Sequence, residues 1–116
     1  MFSLTSSHQY YLYSESTDMR KSFDGLCGLI STGMQQDPSN GSVYVFINKR
    51  RDRIKLLHWE AGGFVLYYKR LEKGTLERSP TQSGSSVSWP ELVMLIEGIP
   101  LSERKKRRRF LLNKSA

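Results

Sequence analysis

The sequence predicts an α+β fold in which a small antiparallel β-meander packs with an N-terminal helix and a C-terminal helix. Three runs rich in β-branched and aromatic residues follow one another at 43–48, 54–60 and 64–72, separated only by KRRDR and AGG. Loops this short join antiparallel neighbours. Apolar residues at helical spacing occur before these runs and after them, which gives the two helices.

A short strand and a helix are expected before the meander. HQYYLYSES, residues 8–16, is rich in β-formers and then turns polar, as in a strand followed by a turn. Thr17 or Asp18 can cap a helix running to about Met34, because a side-chain oxygen there accepts a bond from a free N–H of the first turn. Its apolar face comprises Met19, Phe23, Leu26, Cys27 and Ile30. Close approach to a sheet would explain the glycines within it: Gly25, Gly28 and Gly33.

Both faces of the meander are apolar. Side chains alternate along a strand, so Val43, Val45 and Ile47 point one way while Tyr44 and Phe46 point the other. A second layer besides the first helix must therefore cover the sheet.

The C-terminal helix is the candidate for that layer. Ser88 and Glu91 match a capping box, and the apolar residues that follow recur at helical spacing. Gly98 and Pro100 are expected to end this helix. Its apolar positions are Leu92, Leu95, Ile96 and Ile99.

Length and composition indicate one domain. A chain of 116 residues that is 38% hydrophobic can build one core, which we place in residues 1–100. RSPTQSGSS, residues 78–86, is typical of a flexible loop, and residues 101–116 are expected to form a basic, disordered tail. No apolar run approaches the roughly 18 residues needed to span a bilayer, and the N-terminus lacks a secretory pattern, so we expect a cytoplasmic protein that does not bind membranes.

Metal, cofactor and disulfide chemistry are not indicated. Cys27 is the only cysteine and cannot form an internal disulfide. With His8 and His58 it gives no zinc-binding spacing. We expect no metal and no cofactor.

The positive charge is concentrated in two places. The net charge of +7 divides into −2 for residues 1–48, +5 for residues 49–78 and +4 for residues 79–116. A field of one sign raises the local concentration of polyanions, so this asymmetry bears on partners.

The first concentration is the segment at residues 49–53, which we call the basic tip. Its cations could clasp phosphates, because guanidinium groups offer paired donors that match phosphate oxygens. The alternative is a solvated turn in which Asp52 partly neutralises its neighbours. The cations are Lys49, Arg50, Arg51 and Arg53.

The second concentration lies in the tail. Six consecutive cations repel one another and stay extended until a polyanion binds them. They are Arg104, Lys105, Lys106, Arg107, Arg108 and Arg109.

Aromatic residues lie on the strands among these cations. They could stack unpaired bases, although such residues more often belong to a core. They are Trp59, Phe64, Tyr67 and Tyr68.

Enzymatic activity is not expected. Two-metal phosphoryl transfer needs acidic ligands that converge, and the spacing of the acids shows no convergence. Helix caps, turns and charge partners account for most of them: Asp18, Asp24, Asp37, Asp52 and Glu60. Cys27 has no neighbouring base and is expected in the core.

Three segments together resemble a known family. TDMRKSFDGLCGLI (17–30), VYVFINKRRDRIKLLHWEAGGFVLYYKRLEKG (43–74) and WPELVMLIEGI (89–99) resemble the Orf2-like accessory protein, called TnpB, of the insertion-sequence sixty-six family of bacterial transposons. The matching motifs occur in the same order and cover nearly the whole chain.

The resemblance implies a small protein encoded in a mobile element beside a separate transposase and needed for transposition. With the basic residues it gives the hypothesis of a non-catalytic DNA-binding or transpososome-assembly factor. The alternative is an interaction module that binds the transposase through its aromatic face without contacting DNA; the oligomeric state and the DNA sequence stay open. The expected DNA contacts, besides the tail, are Lys49, Arg50, Arg51, Arg53, Lys55, Lys69, Arg70, Arg20 and Lys21.

Overall fold

The structure is a computed structural model and describes residues 4–76 and 86–97. These residues form one five-stranded sheet and two α-helices. The strands are β1 (Tyr10–Leu12), β2 (Val43–Ile47), β3 (Arg53–Glu60), β4 (Gly63–Arg70) and β5 (Ser86–Val87). The helices are α1 (Phe23–Gly28), which continues into a π-helical turn (Leu29–Gly33), and α2 (Trp89–Glu97).

The strand order in the sheet is β4-β3-β2-β1-β5. β2, β3 and β4 form the predicted antiparallel meander. β1 lies parallel to β2, with Tyr10 opposite Val43, and β5 pairs antiparallel to β1. A parallel pair needs a crossover connection, and the segment containing α1 supplies it. The α+β prediction is confirmed, and the sheet is mixed because β1 joins the meander in parallel.

The sheet separates two apolar cores. All five residues of β2 are fully buried, which requires cover on both faces. Val43, Val45 and Ile47 lie in the core that contains Leu92, Leu95 and Ile96 of α2. Tyr44 and Phe46 lie in the core that contains Leu26 and Ile30. The prediction that a second helix covers the other face is confirmed.

The start of α1 differs from the prediction. The helix begins at Phe23, whereas Thr17 and Asp18 had been expected to cap it. Thr17 N–H instead donates to Ile47 O at 2.8 Å, which holds this residue against the sheet. The carbonyls of Met19 and Lys21 accept hydrogen bonds from Lys55 Nζ, so the chain reaches β3 before it turns into a helix.

The start of α2 agrees with the prediction. Glu91 N–H donates to Ser88 Oγ at 3.3 Å, and the Ser88 hydroxyl donates to Glu91 Oε1 at 3.0 Å. Ser86 pairs with Tyr11 of β1, so the last residue of the predicted loop belongs to a strand. The remainder of that loop, the expected helix stop at Gly98 and Pro100, Ile99 and the basic tail lie outside the described residues.

Candidate functional site

The side chain of Asn48 organises the basic tip. Asn48 Oδ1 accepts hydrogen bonds from the backbone N–H groups of Asp52 and Arg53, each at 3.0 Å. Asn48 Nδ2 donates to Asp52 Oδ1 at 2.6 Å, and Arg51 N–H donates to Asn48 O at 3.0 Å. One short amide therefore closes the turn between β2 and β3.

The segment after β4 is hydrogen-bonded to the backbone of the basic tip. Leu71 N–H donates to Asp52 O at 2.7 Å, and Leu76 N–H donates to Arg51 O at 2.5 Å. Leu76 itself is fully buried. These bonds hold Arg51 at a φ of 58°, in the left-handed region that residues other than glycine adopt uncommonly. The tip is thus an ordered turn whose cations project from a fixed backbone.

The chain after β1 runs beside the tip. Tyr13 N–H donates to Val45 O at 2.9 Å, and Thr17 N–H donates to Ile47 O, so this segment continues along the length of β2. Residues 16–20 consequently face residues 48–53 across the end of the sheet. About 30 positions of sequence separate the two segments.

An open cleft of about 650 Å³ lies between these two segments, and we call it the basic cleft. Its walls carry four cations and two carboxylates, which leaves a net charge of +2. The cations are Arg20, Lys49, Arg50 and Arg53, and the carboxylates are Asp18 and Asp52. Ser16, Thr17, Met19 and Asn48 complete the lining.

Both carboxylates of the cleft are held in their ionised form. The Arg20 guanidinium approaches Asp18 at 2.7 Å, and Arg20 N–H also donates to Asp18 Oδ1 at 2.9 Å. These bonds lower the pKa of Asp18 to about 2. The hydrogen bond from Asn48 lowers the pKa of Asp52. At neutral pH the cleft is therefore a charged surface in which one cation is already paired.

The cations of the basic tip have fewer partners than Arg20. The side chains of Lys49, Arg50 and Arg51 are exposed and make no hydrogen bond to a described residue. Arg53 Nη1 donates to Tyr68 Oη at 3.3 Å. Lys49 and Arg50 line the cleft, and no described residue competes with a ligand for their side-chain donors.

Lys55 was expected to contact phosphate, and the structure gives it another role. It is only 5% exposed, and its ammonium group donates to Met19 O at 2.8 Å and to Lys21 O at 2.7 Å. The same group lies 4.6 Å from the centroid of the Tyr68 ring. Lys55 therefore joins β3 to the chain before α1, and we leave it out of the binding surface.

Lys69 and Arg70 were both expected to contact DNA, but they lie on opposite faces of β4. Successive strand residues point to opposite faces. Lys69 lies on the face covered by α2, and its ammonium group donates to Ile96 O at 2.9 Å. Arg70 lies opposite Arg53 on the other face and is ion-paired with Glu72 at 3.0 Å.

Of the remaining predicted contacts that the structure describes, Arg20 lines the cleft and Lys21 does not. Lys21 is exposed just before α1, and Arg51 is exposed on the tip, but neither lines the cleft. The six tail cations lie outside the described residues. Contact of DNA with any of these residues stays a prediction.

The aromatic residues of the strands divide between core and surface. Trp59 and Phe64 are half-buried and pack edge to face, with ring centroids 4.9 Å apart. Tyr67 packs against the core below α2. Tyr68 is different, because it is 48% exposed beside Arg53.

Neither a metal cluster nor a membrane span occurs in residues 4–76 and 86–97. No group of three or more His, Cys, Asp or Glu residues there is placed to hold a metal ion. No helix in this part of the chain is long and apolar enough to cross a bilayer. Cys27 is half-buried in the core below α1, and burial raises the pKa of its thiol.

Sequence reasoning missed Thr17 and Asn48 as cleft residues. Asn48 directly before the cations was a readable signal, since a short amide often bonds backbone groups of its own turn. Thr17 gave no such signal, because its place depends on the distant Ile47 carbonyl. It is 4% exposed, and its hydroxyl finds no hydrogen-bond partner among the described residues.

Comparison with known proteins places the chain in a family. The model of the family described as IS66 Orf2 like protein, TnpB, matches residues 8–106. The chain belongs to the IS66 Orf2-like family. The resemblance seen in the sequence is confirmed, and membership of this family indicates an accessory role in transposition.

Two relatives of this Orf2-like protein come from Sinorhizobium fredii strain NBRC 101917 / NGR234. The uncharacterized protein y4jC is 30% identical over 95 residues, which is 81% of each chain. The uncharacterized protein y4hO is 27% identical over 84 residues, covering 72% of this chain and 73% of the relative. No solved structure matches.

Proposed function

We propose that this Orf2-like protein is a non-catalytic accessory factor that binds DNA phosphates through the basic cleft and the basic tip and so assists assembly of the transposition complex. The observation that carries the proposal is the basic cleft. It gathers Arg20 and three cations of the tip around one concave surface.

Arginine and lysine suit this task for different reasons. A guanidinium group can donate two parallel hydrogen bonds to phosphate, and lysine supplies a compact charge. Arg50 and Lys49 make no hydrogen bond to a described residue, so binding phosphate breaks no bond of theirs there. Contacts with the phosphates of DNA position a protein on the duplex without reading the base sequence. The proposal therefore includes no sequence preference.

The test is a double substitution of Arg50→Gln and Arg53→Gln. Neutralising phosphates releases counterions, so the wild-type affinity for a duplex should fall steeply and linearly in log salt. The double variant should bind about 10-fold or more weakly at low salt, with a slope reduced by roughly 2. Fluorescence anisotropy with a duplex carrying the element's terminal repeat, and with a scrambled duplex, measures both quantities.

The matched control is Gln9→Glu with Gln36→Glu. These exposed residues lie near the opposite ends of β1 and β2 from the tip, and the two changes alter the net charge by the same amount. Unchanged affinity of the cleft variant, with its circular dichroism intact, would retire the proposal. Absence of wild-type binding even at low salt would instead favour the module that binds the transposase without contacting DNA.

A further inference from the structure

Tyr68 is an exposed aromatic ring at the margin of the basic cleft. Three large hydrophobic residues of the described chain are exposed, namely Phe23, Val65 and Tyr68. Tyr68 lies on the face of β4 that carries Arg70, and its cross-strand partner is Lys55. A single exposed ring is ordinary by itself, so its surroundings decide its meaning.

The ring is held in place by two cations. Arg53 Nη1 donates to Tyr68 Oη at 3.3 Å, and the Lys55 ammonium lies over the ring at 4.6 Å from its centroid. Lys55 is itself fixed by its hydrogen bonds to Met19 O and Lys21 O. The ring is thus ordered at its hydroxyl and on one face, and its exposed surface lies away from Lys55.

Arg53 connects this ring to the cleft. It lines the cleft and also bonds the hydroxyl of Tyr68. In the register of β3 and β4, Arg53 and Tyr68 are diagonal neighbours. The Cα atoms of such neighbours lie roughly 7–8 Å apart in an antiparallel pair. Because the Arg53 guanidinium contacts the Tyr68 hydroxyl directly, a nucleotide whose phosphate is bound by Arg53 would have its base within reach of the ring.

We propose that the basic cleft and Tyr68 together bind an unpaired DNA strand, with phosphates in the cleft and a base stacked on the exposed surface of the Tyr68 ring. This inference rests on the proposed function and names its ligand more narrowly. Proteins that bind single strands combine a basic groove with aromatic stacking platforms. A base inside a duplex is stacked on its neighbours and cannot use the ring.

The test compares Tyr68→Val and Tyr68→Phe on a labelled short oligothymidylate and on a duplex of equal length. Valine keeps a β-favouring apolar residue and removes the ring. Loss of one stacked base should weaken single-strand binding by about five-fold or more, with the salt slope unchanged because no phosphate contact is lost. Tyr68→Phe should stay within about two-fold of wild type, since the stacking surface remains.

Val65→Thr is the matched control, because Val65 is exposed on the same strand but on the opposite face. Circular dichroism and thermal unfolding check each fold. Should Tyr68→Val fail to fold, Tyr68→Trp replaces it: a larger stacking surface should bind the strand at least as tightly as tyrosine, and clear weakening would count against the proposal.

The outcomes separate this inference from the proposed function. Single-strand binding unaffected by Tyr68→Val would overturn the inference, as would equal weakening for strand and duplex. If the Arg50 and Arg53 variant still loses duplex affinity in either case, the proposed function stands. If wild-type protein binds neither probe at low salt, both fail.

Discussion

Lys55 is a buried cation whose ammonium group bonds two backbone carbonyls. Such a group is stabilising only while its partners remain, because an unmade buried hydrogen bond costs more than a made one contributes. Its position in the sequence, between Ile54 and Leu56, gives no sign of this role. The partners are the carbonyls of residues 19 and 21, more than 30 positions earlier.

Lys55→Met should destabilise the protein. Methionine preserves the apolar part of the side chain but removes the donor that bonds the two carbonyls. We therefore expect the free energy of unfolding to fall by about 1–3 kcal/mol. Urea denaturation followed by circular dichroism measures the change. Lys49→Met, at an exposed residue of the tip, is the control and should leave the free energy of unfolding within about 0.5 kcal/mol while weakening DNA binding. Equal stability of the two variants would refute the structural role of Lys55.

Asp18 competes with phosphate for Arg20. Asp18→Asn removes one negative charge from the cleft and frees the guanidinium, so we expect DNA affinity to rise by roughly three-fold and the salt slope to steepen by up to about 1. Asp37→Asn makes the same change in net charge in the turn before β2 and should have little effect on affinity. A drop in affinity for Asp18→Asn would mean that the pair orients Arg20 instead of occupying it.

The same carboxylate has a defined pH response. Its pKa is lowered from 3.8 to about 2 in the folded protein. The unfolded chain therefore binds more protons between these values, so this contribution is fully present above pH 3.8 and is lost as the pH falls towards 2. Urea unfolding at a series of pH values measures this contribution. In Asp18→Asn, the free energy of unfolding should lack the part of its fall at low pH that comes from this carboxylate.

At the scale of elements, α1 begins late because the backbone groups just before it are hydrogen-bonded to the sheet. The apolar spacing did predict the helix and the burial of Leu26 and Ile30. Phe23 was expected on the same buried face but is 42% exposed, because it lies in the first turn of the helix. The start of the helix could not be predicted from local sequence. The Lys55 ammonium group donates to the carbonyls of residues 19 and 21, and Thr17 N–H donates to Ile47 O. Local propensity gives way wherever a tertiary partner offers the backbone a better bond.

The glycines of this segment have different reasons to be there. A Cβ on Gly33 would lie 3.0 Å from Cε1 of Tyr13, so the close contact at that residue is with a side chain just after β1 and not with the sheet itself. A Cβ on Gly28 would meet nothing within 4 Å, and its φ of −61° is helical. Gly28 therefore has no packing reason among its neighbours.

Gly28→Ala should stabilise the protein. Alanine fits the helical backbone at this exposed residue and reduces the conformational entropy of the unfolded chain, so we expect a gain of about 0.5–1 kcal/mol. Gly33→Ala is the informative comparison, since the Tyr13 ring must shift and should offset the gain. Thermal and urea unfolding of both variants give the answer, and a loss of stability in Gly28→Ala would contradict it.

For the molecule as a whole, the sequence predicted the layers better than the site. Alternation along residues 43–47 required cover on both faces, and the two helices supply it. The basic tip was visible as a run of charge, but the opposite wall of the cleft was not. Thr17 and Arg20 form that wall because β1 pairs in parallel with β2, and no local sequence pattern specifies this pairing. Alternation along β4 already places Lys69 and Arg70 on opposite faces of the sheet, although both were expected to contact DNA.

The position of β1 also determines which part of the sheet is hardest to assemble. Within the meander, neighbouring strands are joined by short turns, so each pair closes a small loop. Tyr10 pairs with Val43 on one side and Val87 on the other, so both ladders of this three-residue strand close long loops. Closing such loops costs chain entropy before the contacts repay it. We therefore expect the wall of the cleft that follows β1 to form after the meander, and the basic tip to form together with the β2–β3 pair.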